Sequence, residues 1–101
     1  MIAVLRLMNL LEQAIFRGDV ARTVRLLDEG MDPNGLTHKN EPLLEWVVSD
    51  LLHQFDIDPL IEIVRLLASR GARTKVPMYM ACFQGQEASV RAMIDFVADL
   101  N

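Results

Sequence analysis

Apolar residues recur along this chain at intervals of three and four, and no segment alternates at period two. That periodicity belongs to helices with one buried face, so an all-α fold without a sheet is predicted. Val20, Val24 and Leu27, with Leu26 beside them, form one stripe. Ile61, Val64 and Leu67–Ala68 form a second, and Val90, Met93, Ile94 and Val97 a third. Leu44, Val48, Leu51 and Phe55 keep helical spacing, which predicts a helix running on to about Phe55. Near the N-terminus Val4, Met8, Leu11 and Ile15 share a face, while Ile2, Leu5, Leu7 and Leu10 populate much of the rest. One helix over about residues 2–17 is expected there, apolar on most sides and therefore a candidate contact surface.

Punctuation residues divide these stripes. Gly30 and Gly71 stand where a helix has to end in a left-handed conformation, which glycine adopts without steric cost. Asp58-Pro59 reads as a helix start, with the carboxylate as cap and proline at the first helical position. Val97 takes the place a third closing glycine would hold. A β-branched residue resists positive φ, so the last turn is expected to end differently or fray and the array to stop there, as suits either a capping repeat or a piece cut from a longer array.

The segment Gly18–Asn34 reads G-D-V-A-R-T-V-R-L-L-D-E-G-M-D-P-N. It resembles the second half of an ankyrin repeat, G-x-x-x-x-V-x-x-L-L-x-x-G-A-D-x-N. The pattern returns as Ile61–Arg73 and again as Gly85–Asn101. The first half of the motif, T-P-L-H-x-A-A-x-x-G, is matched more loosely by Leu11–Gly18, Pro42–Val47 and Pro77–Gly85. The resemblance covers about residues 9–101. It implies one ankyrin-type helical solenoid of stacked antiparallel helix pairs, spanning 1–101. Its irregular repeats lie at about 9–40, 41–75 and 76–101, with an N-terminal helix extension at 2–8 and an insertion at 50–58. Three repeats are about the minimum that can share a core. Gly35–Glu41 forms nearly a full finger, the turn linking one helix pair to the next. Between the second and third copies the finger shrinks to Arg73–Val76.

Composition narrows the function. At 101 residues, 51% hydrophobic and 24% charged, the chain reads as one folded domain, neither disordered nor membrane-spanning. A net charge of −4 argues against nucleic acid, and Arg17, Arg22 and Arg25 share their helix region with Asp28 and Glu29 as a solvated face. The apolar start, broken by Arg6, falls well short of the roughly 18–20 residues that cross a bilayer. With one cysteine there is no intrachain disulfide, and a cytoplasmic address is expected.

Chemistry finds little support. Ser49, Asp50 and His53 allow a nucleophile and base to be drawn, but no glycine-rich elbow or oxyanion hole surrounds Ser49. His53, Asp56 and Asp58 are candidate metal ligands, although Asp58 is better explained as a helix cap. No phosphate-cradling or dinucleotide motif occurs, so no cofactor, no metal and no enzyme activity are expected. Cys82 fills the small-residue slot beside Ala81 and is expected to be buried packing.

The resemblance implies instead that the chain binds another protein through the concave surface of the repeats. Carried onto this sequence, the finger contributes Leu36, Thr37, His38, Lys39 and Asn40. The helix ends contribute Phe16 and Arg17, Val48 and Ser49, and Phe83 and Gln84. Phe16, Val48 and Phe83 occupy equivalent slots and are expected to align as one apolar ridge, with Arg17 and Lys39 as polar rim. The style of the repeats resembles short bacterial ankyrin proteins, and an inhibitor or immunity-type protein is a concrete version. The alternative is a homodimer built through the apolar N-terminal helix and the insertion, where Leu51, Leu52, Phe55 and Ile57 offer a second surface.

Overall fold

Asn9 begins the first helix: its side-chain oxygen accepts the Glu12 amide at 2.8 Å, satisfying one of the amides a helix start leaves free. The computed structural model describes residues 8–53 and 57–97. Among them are six α-helices and a short 3-10 turn. They are α1 (Leu10–Phe16), α2 (Val20–Asp28), α3 (Leu43–Ser49), the 3-10 turn Leu51–His53, α4 (Ile57–Ser69), α5 (Lys75–Phe83) and α6 (Glu87–Val97). The described residues hold no strand, only an isolated bridge between Leu36 and Pro42.

The helices pack in sequential pairs, α1 on α2, α3 on α4 and α5 on α6. Like-placed helices of successive pairs also touch: α2 on α4, α4 on α6, and α3 on α5. Phe16 stacks on Trp46 at 6.5 Å between ring centroids, joining α1 to α3. One core runs through all three pairs, from Leu11 and Ile15 through Val47 and Leu67 to Met93. The radius of gyration, 12.6 Å, is that of a compact domain of about this length. No helix of the described residues is long and apolar enough to cross a membrane.

Several expectations are met. Gly30 and Gly71 follow their helices with φ of 106° and 95°. Val64, Leu67 and Ala68 face inward, as do Leu26 and Leu27. The connection from α4 to α5 is short, and the turn at 35–41 is the more developed one.

Others are corrected. The first helix does not run from residue 2 to 17: the chain bends at Met8, and Asn9 caps a helix that opens at Leu10. Residues 2–7 lie outside the described part. The helix expected to reach Phe55 ends at Ser49, followed by Asp50 and the 3-10 turn; Phe55 and Asp56 also lie outside the described residues. Leu51 is nevertheless buried, because the tighter turn carries it back onto the core. Asp58 falls within the first turn of α4, which already opens at Ile57, so it is not the residue preceding the helix that a cap requires. Cys82 is exposed, since Pro77 and Ala81, one turn apart, take the inward face of α5. Ile94 is exposed as well, although its stripe partner Met93 is fully buried.

Candidate functional site

The finger is held by the Asn9 and Glu12 side chains and by Asn34, which directly precedes it. Asn9 donates through Nδ2 to the Leu36 carbonyl at 3.3 Å. Glu12, fully buried on α1, accepts the His38 backbone amide at 3.0 Å and meets His38 Nδ1 at 2.5 Å. Asn34 reaches forward to the next connection, donating to the Gly71 carbonyl at 3.1 Å and accepting from the Arg73 amide at 2.8 Å. Within the turn, Thr37 Oγ1 accepts the amides of Lys39 and Glu41, and Asn40 takes a positive φ of 61° to close it. A loop secured at both ends and in its middle presents a fixed surface rather than a mobile one.

Between this finger and the start of α5 lies a groove of about 350 Å³. Leu36, Pro42, Val76 and Pro77 give it apolar walls, and Asn34, Glu45, Arg73 and Lys75 bring polar groups. Leu36 and Val76 are both half-exposed large hydrophobic side chains, so the apolar surface is accessible. The rim carries two cations against one carboxylate, in a chain whose net charge is −4.

The residues expected to bind a partner do not share one surface. Val48 is 0% exposed and Phe16 is half-buried against Trp46, so the ridge of Phe16, Val48 and Phe83 does not form. Phe83 alone of the three is open, at 82%, stacked on Tyr79 with centroids 6.4 Å apart. Burial follows stack position: α3 has α5 packed against it, and equivalent slots are therefore not equivalent surfaces. His38 turns its ring in to Glu12 and does not project as a contact residue. Lys39, Arg17 and Leu36 are exposed, and Gln84 is exposed but accepts from Gln86 Nε2 at 2.8 Å. The same Gln86 amide donates to the Val48 carbonyl at 3.0 Å, tying the end of α3 to the start of α6.

Sequence reasoning missed Glu12, Arg73, Lys75 and Val76. For Glu12 a signal existed, a carboxylate in the slot that Leu44 and Tyr79 fill in the later copies. For the other three, the shortened second finger concealed that they would face the first.

Ser49 ends α3, a 3-10 turn rather than a continued helix leads on to His53, and Ser49 Oγ donates to Asp50 at 3.3 Å. Among the described residues no group of three His, Cys, Asp or Glu side chains is placed to hold a metal ion. In the insertion, Leu51 is buried, Leu52 half-buried and Ile57 exposed, while Phe55 lies outside the described residues. Neither a family model nor a curated protein nor a solved structure matches this chain.

Proposed function

We propose that this chain is a small ankyrin-type solenoid whose role is to bind another protein, with no turnover of its own. The groove between the finger and α5 carries this reading: apolar walls from Leu36, Val76 and Pro77, fixed in place by the Glu12–His38 and Asn34–Gly71 links. The stacking of like-placed helices and the repeat pattern support the solenoid assignment. The partner surface is revised from the ridge to Leu36 and Lys39 on the finger and Arg73, Lys75 and Val76 across the groove. Two cations beside apolar side chains favour a partner segment in which aliphatic or aromatic residues are flanked by carboxylates. An inhibitor or immunity-type protein, acting by occupying its target, is the version most in keeping with a short, rigid binder.

Affinity capture from the source lysate, comparing the wild type with a Leu36→Asp/Val76→Asp variant, tests the reading. A single near-stoichiometric partner held by the wild type and lost by the variant, with circular dichroism unchanged, is the expected result. The same proteins recovered with both baits would overturn it.

A further inference from the structure

Asn34 and Gly35 form the only asparagine–glycine pair in the chain; Asn9 is followed by Leu10 and Asn40 by Glu41. That pairing carries a reaction of its own. A deprotonated backbone nitrogen attacks the carboxamide carbon of the preceding asparagine, and glycine, having no side chain, leaves its nitrogen unshielded. The fold holds both reacting groups. The Gly35 amide donates to the Asp32 carbonyl at 3.0 Å, and the Asn34 carboxamide donates through Nδ2 to the Gly71 carbonyl at 3.1 Å. Its Oδ1 accepts from the Arg73 amide at 2.8 Å, and the Asn34 backbone amide donates to Asp32 Oδ1 at 2.8 Å.

We propose that Asn34–Gly35 is a self-modification site: the stacked fold holds the pair back, lifting of the finger lets Asn34 deamidate, and the product releases the finger from residues 71–73. In the reaction the Gly35 nitrogen gives its proton to a solvent base and bonds to Asn34 Cγ. The Cγ–Nδ2 bond breaks and ammonia leaves, which closes a five-membered succinimide. Water then opens the ring at either carbonyl. Attack at Cγ yields an aspartate at position 34; attack at the former main-chain carbonyl yields an isoaspartate, with the chain running through Cγ. Nothing is oxidised or reduced, and water is the only co-reactant.

Two hydrogen bonds cannot survive ring closure. The Gly35 nitrogen surrenders the hydrogen it donates to Asp32, and Nδ2, the donor to Gly71, is the leaving group. The folded geometry therefore opposes the reaction, because both bonds are given up against a formed stack. Asn34 and Gly35 are each only half-buried, so water and base reach them when the finger moves.

The change is one-way, since ammonia is lost. An aspartate at position 34 keeps an acceptor for Arg73 but turns a carboxylate oxygen to the Gly71 carbonyl, where a donor stood. An isoaspartate adds a main-chain atom ahead of Gly35, whose carbonyl accepts the Leu43 amide at 3.1 Å, and so shifts the finger against α3. Asn34 and Arg73 both line the groove, so either product reshapes it.

The inference goes beyond the binding reading and is measured on the purified protein alone. A missing partner would leave it standing, and a missing modification would leave the groove reading standing. The wild type is incubated at mildly alkaline pH, both folded and in denaturing urea. Mass spectrometry follows the peptide containing Asn34, with those containing Asn9 and Asn40 as internal references. Asn34 should deamidate in both samples, and about tenfold or more slowly when folded. Glu12→Ala, with helix content retained by circular dichroism, frees the finger at His38 and should raise the folded rate severalfold. The deamidated fraction, separated by anion exchange, should unfold at lower urea than fresh protein. Equal rates in the folded and unfolded chain overturn the inference, as does an Asn34 rate no higher than that of Asn40 in urea. A folded Glu12→Ala protein reacting at the wild-type rate overturns the finger as the gate. A product as stable as the fresh protein overturns the release.

Discussion

Glu12 and His38 lie on different elements, yet the buried carboxylate of Glu12 takes both the backbone amide and the ring Nδ1 of His38. This joins the middle of α1 to the tip of the finger. In Glu12→Ala the amide and ring nitrogen lose their acceptor in a part-buried site. Unfolding free energy should fall by about 1–3 kcal/mol, the cost of leaving such groups unpaired. Urea denaturation measures it, and a loss below about 0.5 kcal/mol, the scatter of ordinary surface changes, would show that the pair does not secure the finger.

Asn34 performs a similar task between the two inter-pair connections, with one donated and one accepted hydrogen bond to residues 71–73. Both bonds are exposed, so their net worth is modest. Asn34→Ala should cost about 1–2 kcal/mol, and Asn34→Asp, which keeps only the acceptor, about half as much. Equal losses in the two variants would assign the effect to something other than these bonds.

Val48 and Phe83 provide a direct contrast, since they hold corresponding places in the sequence pattern but not the same environment. Phe83→Lys should change stability by no more than about 0.5 kcal/mol. Val48→Lys places an ammonium in the core without a partner and should abolish the cooperative thermal transition. A folded Val48→Lys protein would mean that α3 is not enclosed between its neighbours.

Gly71 isolates a backbone effect. It holds φ at 95°, and a Cβ there would meet nothing within 4 Å. Gly71→Ala should therefore cost about 1–2 kcal/mol through left-handed strain alone, without any clash. A stability equal to the wild type would indicate that the turn after α4 relaxes to another conformation.

The helices and their order were legible because three- and four-residue periodicity is a local property. Val64, Leu67 and Ala68 could be assigned to the core, and Gly30 and Gly71 to helix ends, without knowing what they would touch. The end of α3 was not legible in the same way. Leu51 continues the helical spacing and is buried, yet it reaches the core through a 3-10 turn, and apolar spacing alone does not distinguish the two routes. The ridge failed for another reason. Phe16, Val48 and Phe83 are equivalent by sequence, and nothing local reveals that α3 has α5 packed against it while, among the described residues, Phe83 is left open.

The sequence by itself determined the all-helical character, the sequential pairing of helices about glycine-marked turns, and the developed finger at Gly35–Glu41. These follow from side-chain periodicity and backbone sterics, which act over a few residues. Only the tertiary structure decided which apolar positions are core and which are surface. It also turned His38 inward onto Glu12 and set Leu36 opposite Val76. Burial and long-range hydrogen bonds depend on which segments meet, and residues as far apart as Glu12 and His38, or Asn34 and Arg73, acquire their roles only when the stack has formed.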